Sequence, residues 1–267
     1  MHLETGTFFD RIPYARVGSQ GDPILVLSGG QAFVQRPTQA RIERDARRVA
    51  RLLPANRSFV LLGYDLSPAR SDGFDGMVAD VAAVARELSG SRQVVGISYG
   101  GVIATQLAAQ HPALVSALVL LASAHDFSAA GKRRLERQID CALRGDLAAL
   151  AEDFVTVFRR PWLNWLVRLR LHTRRDRLGE ALNDPSVIVR GLRAILDPRL
   201  ADTTRLAKVT ARMLIIGGSR DHLFGDGEME RTAAVVPNAS LVLFRKETHM
   251  VPVERAGAVA AKVRAFL

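Results

Sequence analysis

Three side chains in this sequence have the types needed to break an acyl bond by covalent catalysis. Ser98 lies in Gly96-Ile97-Ser98-Tyr99-Gly100-Gly101, Asp221 in Gly217-Gly218-Ser219-Arg220-Asp221-His222, and His249 in Arg245-Lys246-Glu247-Thr248-His249-Met250. A serine hydroxyl is a weak nucleophile at neutral pH, so an imidazole must take its proton during attack. A carboxylate then holds that imidazole in the useful tautomer and stabilises its cation. His249 is the candidate base and Asp221 the candidate orienter. Singly, each has a plainer reading, because loop histidines are ordinarily solvated and an aspartate in a glycine-rich turn ordinarily caps it. The chemistry therefore rests on elements that would bring the three together.

The apolar run Gln93-Val94-Val95 precedes the serine, and Val102 to Ala109 follows it with helical character. A serine leaving a strand for a helix in so tight a turn is forced toward sparsely allowed backbone angles, and Gly96 and Gly100 remove side chains that would collide with it. Other apolar runs read as buried strands: Pro23 to Leu27, Phe59 to Leu62, Ala117 to Leu121, Met213 to Ile216 and Leu241 to Phe244. Helices are expected over about 39–53, 75–88, 228–236 and 254–267, with a hairpin-like start in Phe8-Phe9-Asp10 and Tyr14 to Val17. Strands alternating with helices predict an α/β fold: a mostly parallel central sheet with helices on both faces. Ligands of such sheets bind beyond the carboxyl ends of the strands, where Ser98, Asp221 and His249 would all emerge.

Between about Asp126 and Arg205 the alternation stops and the chain reads as successive helices. The expected organisation is a core of residues 1–125 and 206–267 with a helical cap, residues 126–205, inserted in it. In the cap, Trp162, Trp165, Leu166 and Leu169 recur at i, i+3, i+4 and i+7 among Arg159, Arg160, Arg168, Arg170, Arg174 and Arg175. This apolar face reads either as the packing face of a lid with a solvated basic side, or as the lining of an acyl pocket with arginines near an anionic head group or a lipid surface.

With the elbow Gly96 to Gly101, the acid loop Gly217 to Asp221, the Thr248-His249-Met250 end and the Ser28-Gly29-Gly30 loop, the chain resembles α/β-hydrolase-fold proteins of the capped esterase and lipase-like type. The resemblance implies a serine hydrolase that cleaves a carboxylic ester or thioester through an acyl-enzyme, with an oxyanion hole from the amides of Tyr99 and Gly30. Gln31 replaces Gly30 if the loop register differs by one, and Asp126 is the alternative acid, since some relatives place it after the earlier strand. The loop from Tyr64 to Ser71 lacks the Arg-Gly-x-Gly run common in the family. Serine as nucleophile argues against the dehalogenase and epoxide hydrolase branches, which use aspartate there. Acyl transfer, C–C hydrolysis, cofactor-free haloperoxidase-like chemistry and a non-catalytic small-ligand receptor remain compatible with the same residues.

Composition narrows the field further. The formal charge is +10, but 33 arginines against four lysines fit genome-wide codon usage better than selected phosphate binding, and no nucleic-acid motif accompanies them. Cys141 is the sole cysteine, so no intrachain disulfide forms, and none of the six histidines has HxxxH spacing. No metal and no cofactor are expected; the partner is a small acyl substrate with an apolar acyl part. The longest apolar stretch, Ala113 to Ala124, falls short of the roughly 20 residues a membrane span needs. The start lacks a basic segment followed by an apolar one, so a cytoplasmic location is expected.

Overall fold

A computed structural model describes residues 2–65, 73–88, 90, 92–155 and 157–267. Most of the Tyr64 to Ser71 loop lies outside the described residues. The strands are β1 (Leu3–Phe8), β2 (Ile12–Val17), β3 (Ile24–Leu27), β4 (Phe59–Leu62), β5 (Gln93–Ile97), β6 (Ala117–Leu121), β7 (Arg212–Gly218) and β8 (Ala239–Phe244). They form one sheet in the order β1-β2-β4-β3-β5-β6-β7-β8, in which β1–β2 and β2–β4 pair antiparallel and all other neighbours parallel. The first hairpin differs in detail from expectation. Phe9 and Asp10 are its turn, at φ 54° and 56°, rather than strand.

The helices of the first half are α1 (Gln31–Val34), α2 (Gln39–Ala50), α3 (Gly73–Glu87) and α4 (Tyr99–Gln110). Between β6 and β7 lie α5 (Ala129–Leu143), α6 (Leu147–Val155), α7 (Pro161–His172), α8 (Leu178–Ala181) and α9 (Pro185–Ala194). The chain ends with α10 (Glu228–Val235), α11 (Val251–Glu254) and α12 (Ala256–Phe266). The second helix stops earlier than its periodicity suggests because Pro54 disfavours helical angles at Leu53, whose side chain still turns into the core.

Strand residues alternate between two cores, as the period of two requires. Leu25, Leu27, Val94, Leu118, Leu120, Met213 and Ile215 share a core with α3, α4 and α10. Ile24, Val26, Val95, Val119, Leu121, Leu214 and Ile216 face α2 and α12. Both faces of the central strands are covered, which explains runs that are apolar throughout rather than alternating. The helix after the elbow, α4, is buried from Tyr99 to Ala108, matching a sequence apolar on all sides.

Candidate active site

Ser98 stands between β5 and α4 at φ 52°, ψ −120°, an angle pair that non-glycine residues rarely adopt. The glycines around it have specific reasons. A Cβ on Gly96 would overlap the Gly101 Cα, and one on Gly100 would overlap the Leu27 carbonyl of the neighbouring strand. The strained serine is tied down from both sides: its N–H donates to Leu121 O at 2.9 Å, and its carbonyl accepts from the Ser123 hydroxyl at 2.7 Å. Ser123 carries no local sequence signal for this task, because the contact spans 25 residues of chain.

Asp221 follows β7 and is 4% exposed. Its Oδ1 accepts from the amides of Leu223 at 2.8 Å and Phe224 at 3.1 Å, and its Oδ2 lies 2.8 Å from His249 Nδ1. Burial alone would raise this carboxyl, but the His249 charge and hydrogen bond with the two amides outweigh it and hold the group below its ordinary value. An ionised carboxylate only accepts, so the bridging proton is the one on Nδ1; in the neutral imidazole this leaves the Nε2 lone pair to take a proton. Two glycines permit this geometry: a Cβ on Gly218 would strike the Glu247 carbonyl and one on Gly225 the Asp221 carbonyl. The Phe224 ring stacks near His249 at 5.9 Å between centroids.

Asp126, the alternative acid, is buried elsewhere in its bonding: it accepts from the Phe127 amide at 2.7 Å and pairs with Lys132. The structure therefore brings Asp221 to His249. No hydrogen bond joins Ser98 Oγ to His249 among the described residues; what those two share is the carboxyl edge of the sheet, at the ends of β5 and β8.

The Ser28-Gly29-Gly30 loop lies beside the elbow. A Cβ on Gly29 would come within 3.5 Å of the Ser98 Cβ, and one on Gly30 within 3.8 Å of the Phe154 ring from α6. The Tyr64 hydroxyl donates to the Ser28 carbonyl, fixing the loop. The amides of Tyr99, Gly30 and Gln31 have no protein acceptor among the described residues. They sit at the starts of α4 and α1, where helical N–H groups are left over. The Tyr99 side chain points away, donating to Gly191 O on α9 at 2.7 Å and packing on Phe33 at 4.7 Å between centroids.

His222, next to the acid, was not anticipated from its sequence position. Its ring lies 6.2 Å from that of His249, its Nε2 is buried with no partner among the described residues, and burial, then the Arg134 charge, pushes it down to about 4. Two cavities, one of about 1010 Å³ between α3, α5 and α9, are lined by none of Ser98, Asp221 and His249. Among the described residues no group of three or more His, Cys, Asp or Glu is placed to hold a metal ion, and no helix is long and apolar enough to cross a membrane.

Residues 24–262 match the model of the alpha/beta hydrolase family. The chain belongs to that family. Among curated α/β-hydrolases it is 29% identical over 192 residues to a pimeloyl-[acyl-carrier protein] methyl ester esterase of Aliivibrio salmonicida, covering 70% of this chain and 71% of the relative. Solved α/β-hydrolase structures superpose along nearly its full length. The MGS-M2 enzyme from a Medee basin deep-sea metagenome library gives a TM-score of 0.75 at 20% identity, covering 98% of this chain and 96% of that one. The enol-lactonase of Burkholderia xenovorans LB400 gives 0.73 at 18% identity, covering 96% and 95%. At such identities these likenesses establish the α/β-hydrolase fold and leave the chemistry to the site.

The tryptophan stripe differs from both sequence expectations. Trp162, Trp165, Leu166 and Leu169 are 53%, 59%, 44% and 47% exposed. The helix rests on the molecule through Leu163, Asn164, Val167 and Leu171, which are half-buried. It is apolar on two sides, and sequence periodicity registered only the outward one.

Proposed function

We propose that this α/β-hydrolase cleaves carboxylic esters or thioesters by a serine acyl-enzyme mechanism. The observation that carries the reading is the buried Asp221 carboxylate on His249 Nδ1 at 2.8 Å, set at the same sheet edge as the strained Ser98 elbow. Ser98 Oγ attacks the acyl carbonyl while His249 Nε2 takes its proton; the Tyr99 and Gly30 amides receive the developing oxyanion. His249 then protonates the leaving alcohol or thiol, and water, deprotonated by the same imidazole, releases the acid. The curated relatives, named as methyl ester esterases of an acyl chain, support an acyl substrate with an apolar part. So does Phe154 of α6, whose ring lies near the Gly30 loop and supports reading the helices between β6 and β7 as a cap over the site.

The test is hydrolysis of p-nitrophenyl esters from short to long acyl chains by wild type and Ser98→Ala. Burst release of nitrophenol that vanishes in the variant is expected. Turnover that survives Ser98→Ala would remove the serine from the mechanism.

A further inference from the structure

Among the described residues nothing covers the outward face of α7. Successive helical residues are about 100° apart, so Trp162, Trp165, Leu166 and Leu169 fall within an arc of about 100° opposite the residues that hold α7 to the protein. Arg168 and Arg170 flank this arc, one on each side. Both tryptophans of the chain are in it. Exposing four large apolar side chains on one three-turn helix is unfavourable in water, and the other exposed large apolar residues, Phe9, Leu143 and Val253, are isolated from one another in sequence.

The surrounding charge selects the occupant. From Phe158 to Arg175 there are six arginines and no acidic residue. Arg168 pairs with Glu152 and Arg159 with Glu247, whereas Arg160, Arg170 and Arg174 have no carboxylate partner among the described residues. A second copy of the chain would set arginine against arginine. A folded acidic protein would need a matching apolar trough for side chains projecting from a convex helix. An anionic bilayer meets both requirements, because its head groups pair with the arginines and its deformable interface takes up Trp and Leu to a depth of about 5–10 Å. We propose that α7 is an in-plane anchor that docks the protein on an anionic lipid surface.

The anchor is joined to the site. Thr248 Oγ1, beside His249, donates to Val157 O at 2.8 Å, and the Arg159 amide donates to Glu254 Oε2 at 3.1 Å, so the segment leading into α7 is fastened to the loop bearing the base. Docking through α7 therefore holds the site close to the lipid surface.

Tryptophan emission reads this surface and nothing else, since Trp162 and Trp165 are the chain's two tryptophans. The full chain is titrated with phosphatidylcholine vesicles and with vesicles containing phosphatidylglycerol, and binding is checked by co-sedimentation. A blue shift on the anionic vesicles is expected, with partitioning about tenfold or more above that on phosphatidylcholine and reversed by high salt. Arg170→Ala with Arg174→Ala should weaken partitioning by about thirtyfold. Leu166→Ser with Leu169→Ser should abolish the shift without altering the far-UV circular dichroism. Unmoved wild-type emission on anionic vesicles would overturn the proposal without reference to any variant. So would a shift that follows protein concentration without lipid, which indicates self-association, or one produced by a purified acyl carrier protein but not by vesicles.

Discussion

Asp221 and Asp126 are both buried aspartates after parallel strands, and their hydrogen bonds separate them. Asp221 holds His249 Nδ1; Asp126 holds Lys132 and its own neighbour's amide. Asp221→Asn should keep the fold and lower kcat by about 10⁴, because an amide can donate to Nδ1 and select the wrong tautomer. Asp126→Asn should leave kcat within a few-fold, and the reverse ranking in steady-state assays would exchange the two roles. His222 gives a pH prediction. Its folded value of about 4 lies below the ordinary 6.5, so it is held neutral, and protonation favours the unfolded chain. The stability it contributes is complete above about pH 6.5 and is lost as pH falls toward 4, roughly 3 kcal/mol in all. Asp221, also depressed, acts in the same direction but only below its ordinary 3.8. Thermal melts from pH 7 to 4.5 should therefore fall less steeply for His222→Gln than for wild type.

Among the elements, helices of the segment between β6 and β7 reach the core at glycines. A Cβ on Gly131 of α5 would overlap the Leu223 carbonyl in the acid loop, and a Cβ on Gly191 of α9 would meet the Phe33 ring of α1 at 2.6 Å. These close approaches set the spacing between that segment and the two loops carrying Asp221 and Gly30. Gly131→Ala should cost about 1–3 kcal/mol in urea unfolding and also lower kcat, since the backbone it displaces bears the amides that hold Asp221. A substitution to alanine at Gly179, which has open space around it, is the control and should cost nothing of that kind. In sequence these glycines are indistinguishable. What separates them is the backbone opposite each one, contributed by residues far along the chain.

For the molecule as a whole, Glu247 joins the segment between β6 and β7 to the C-terminal helices. It is 1% exposed, accepts from Arg255 at 2.7 Å and lies 3.2 Å from Arg159, whose geometry is that of an ion pair without a hydrogen bond to Oε2. Arg255→Ala removes the one hydrogen-bond donor this buried carboxylate has among the described residues, so destabilisation of about 1–3 kcal/mol is expected from denaturant titration. Arg159→Ala should cost less, and equal losses would show that the ion pair and the hydrogen bond are equivalent.

The sequence by itself determined the sheet and the elbow, because both are written locally. Continuous apolar runs mark strands buried on two faces, and Gly96 and Gly100 mark the two positions of a tight turn that have no room for a Cβ. It also supplied Ser98, Asp221 and His249 in chain order as candidates at strand ends. Only the tertiary structure decided that Asp221 rather than Asp126 meets His249, that Ser123 braces the elbow, and that His222 is buried with an unmatched nitrogen. It alone showed which way α7 faces: periodicity finds an apolar stripe, but when a helix is apolar on two sides, only contact with the rest of the molecule decides which side is left in water.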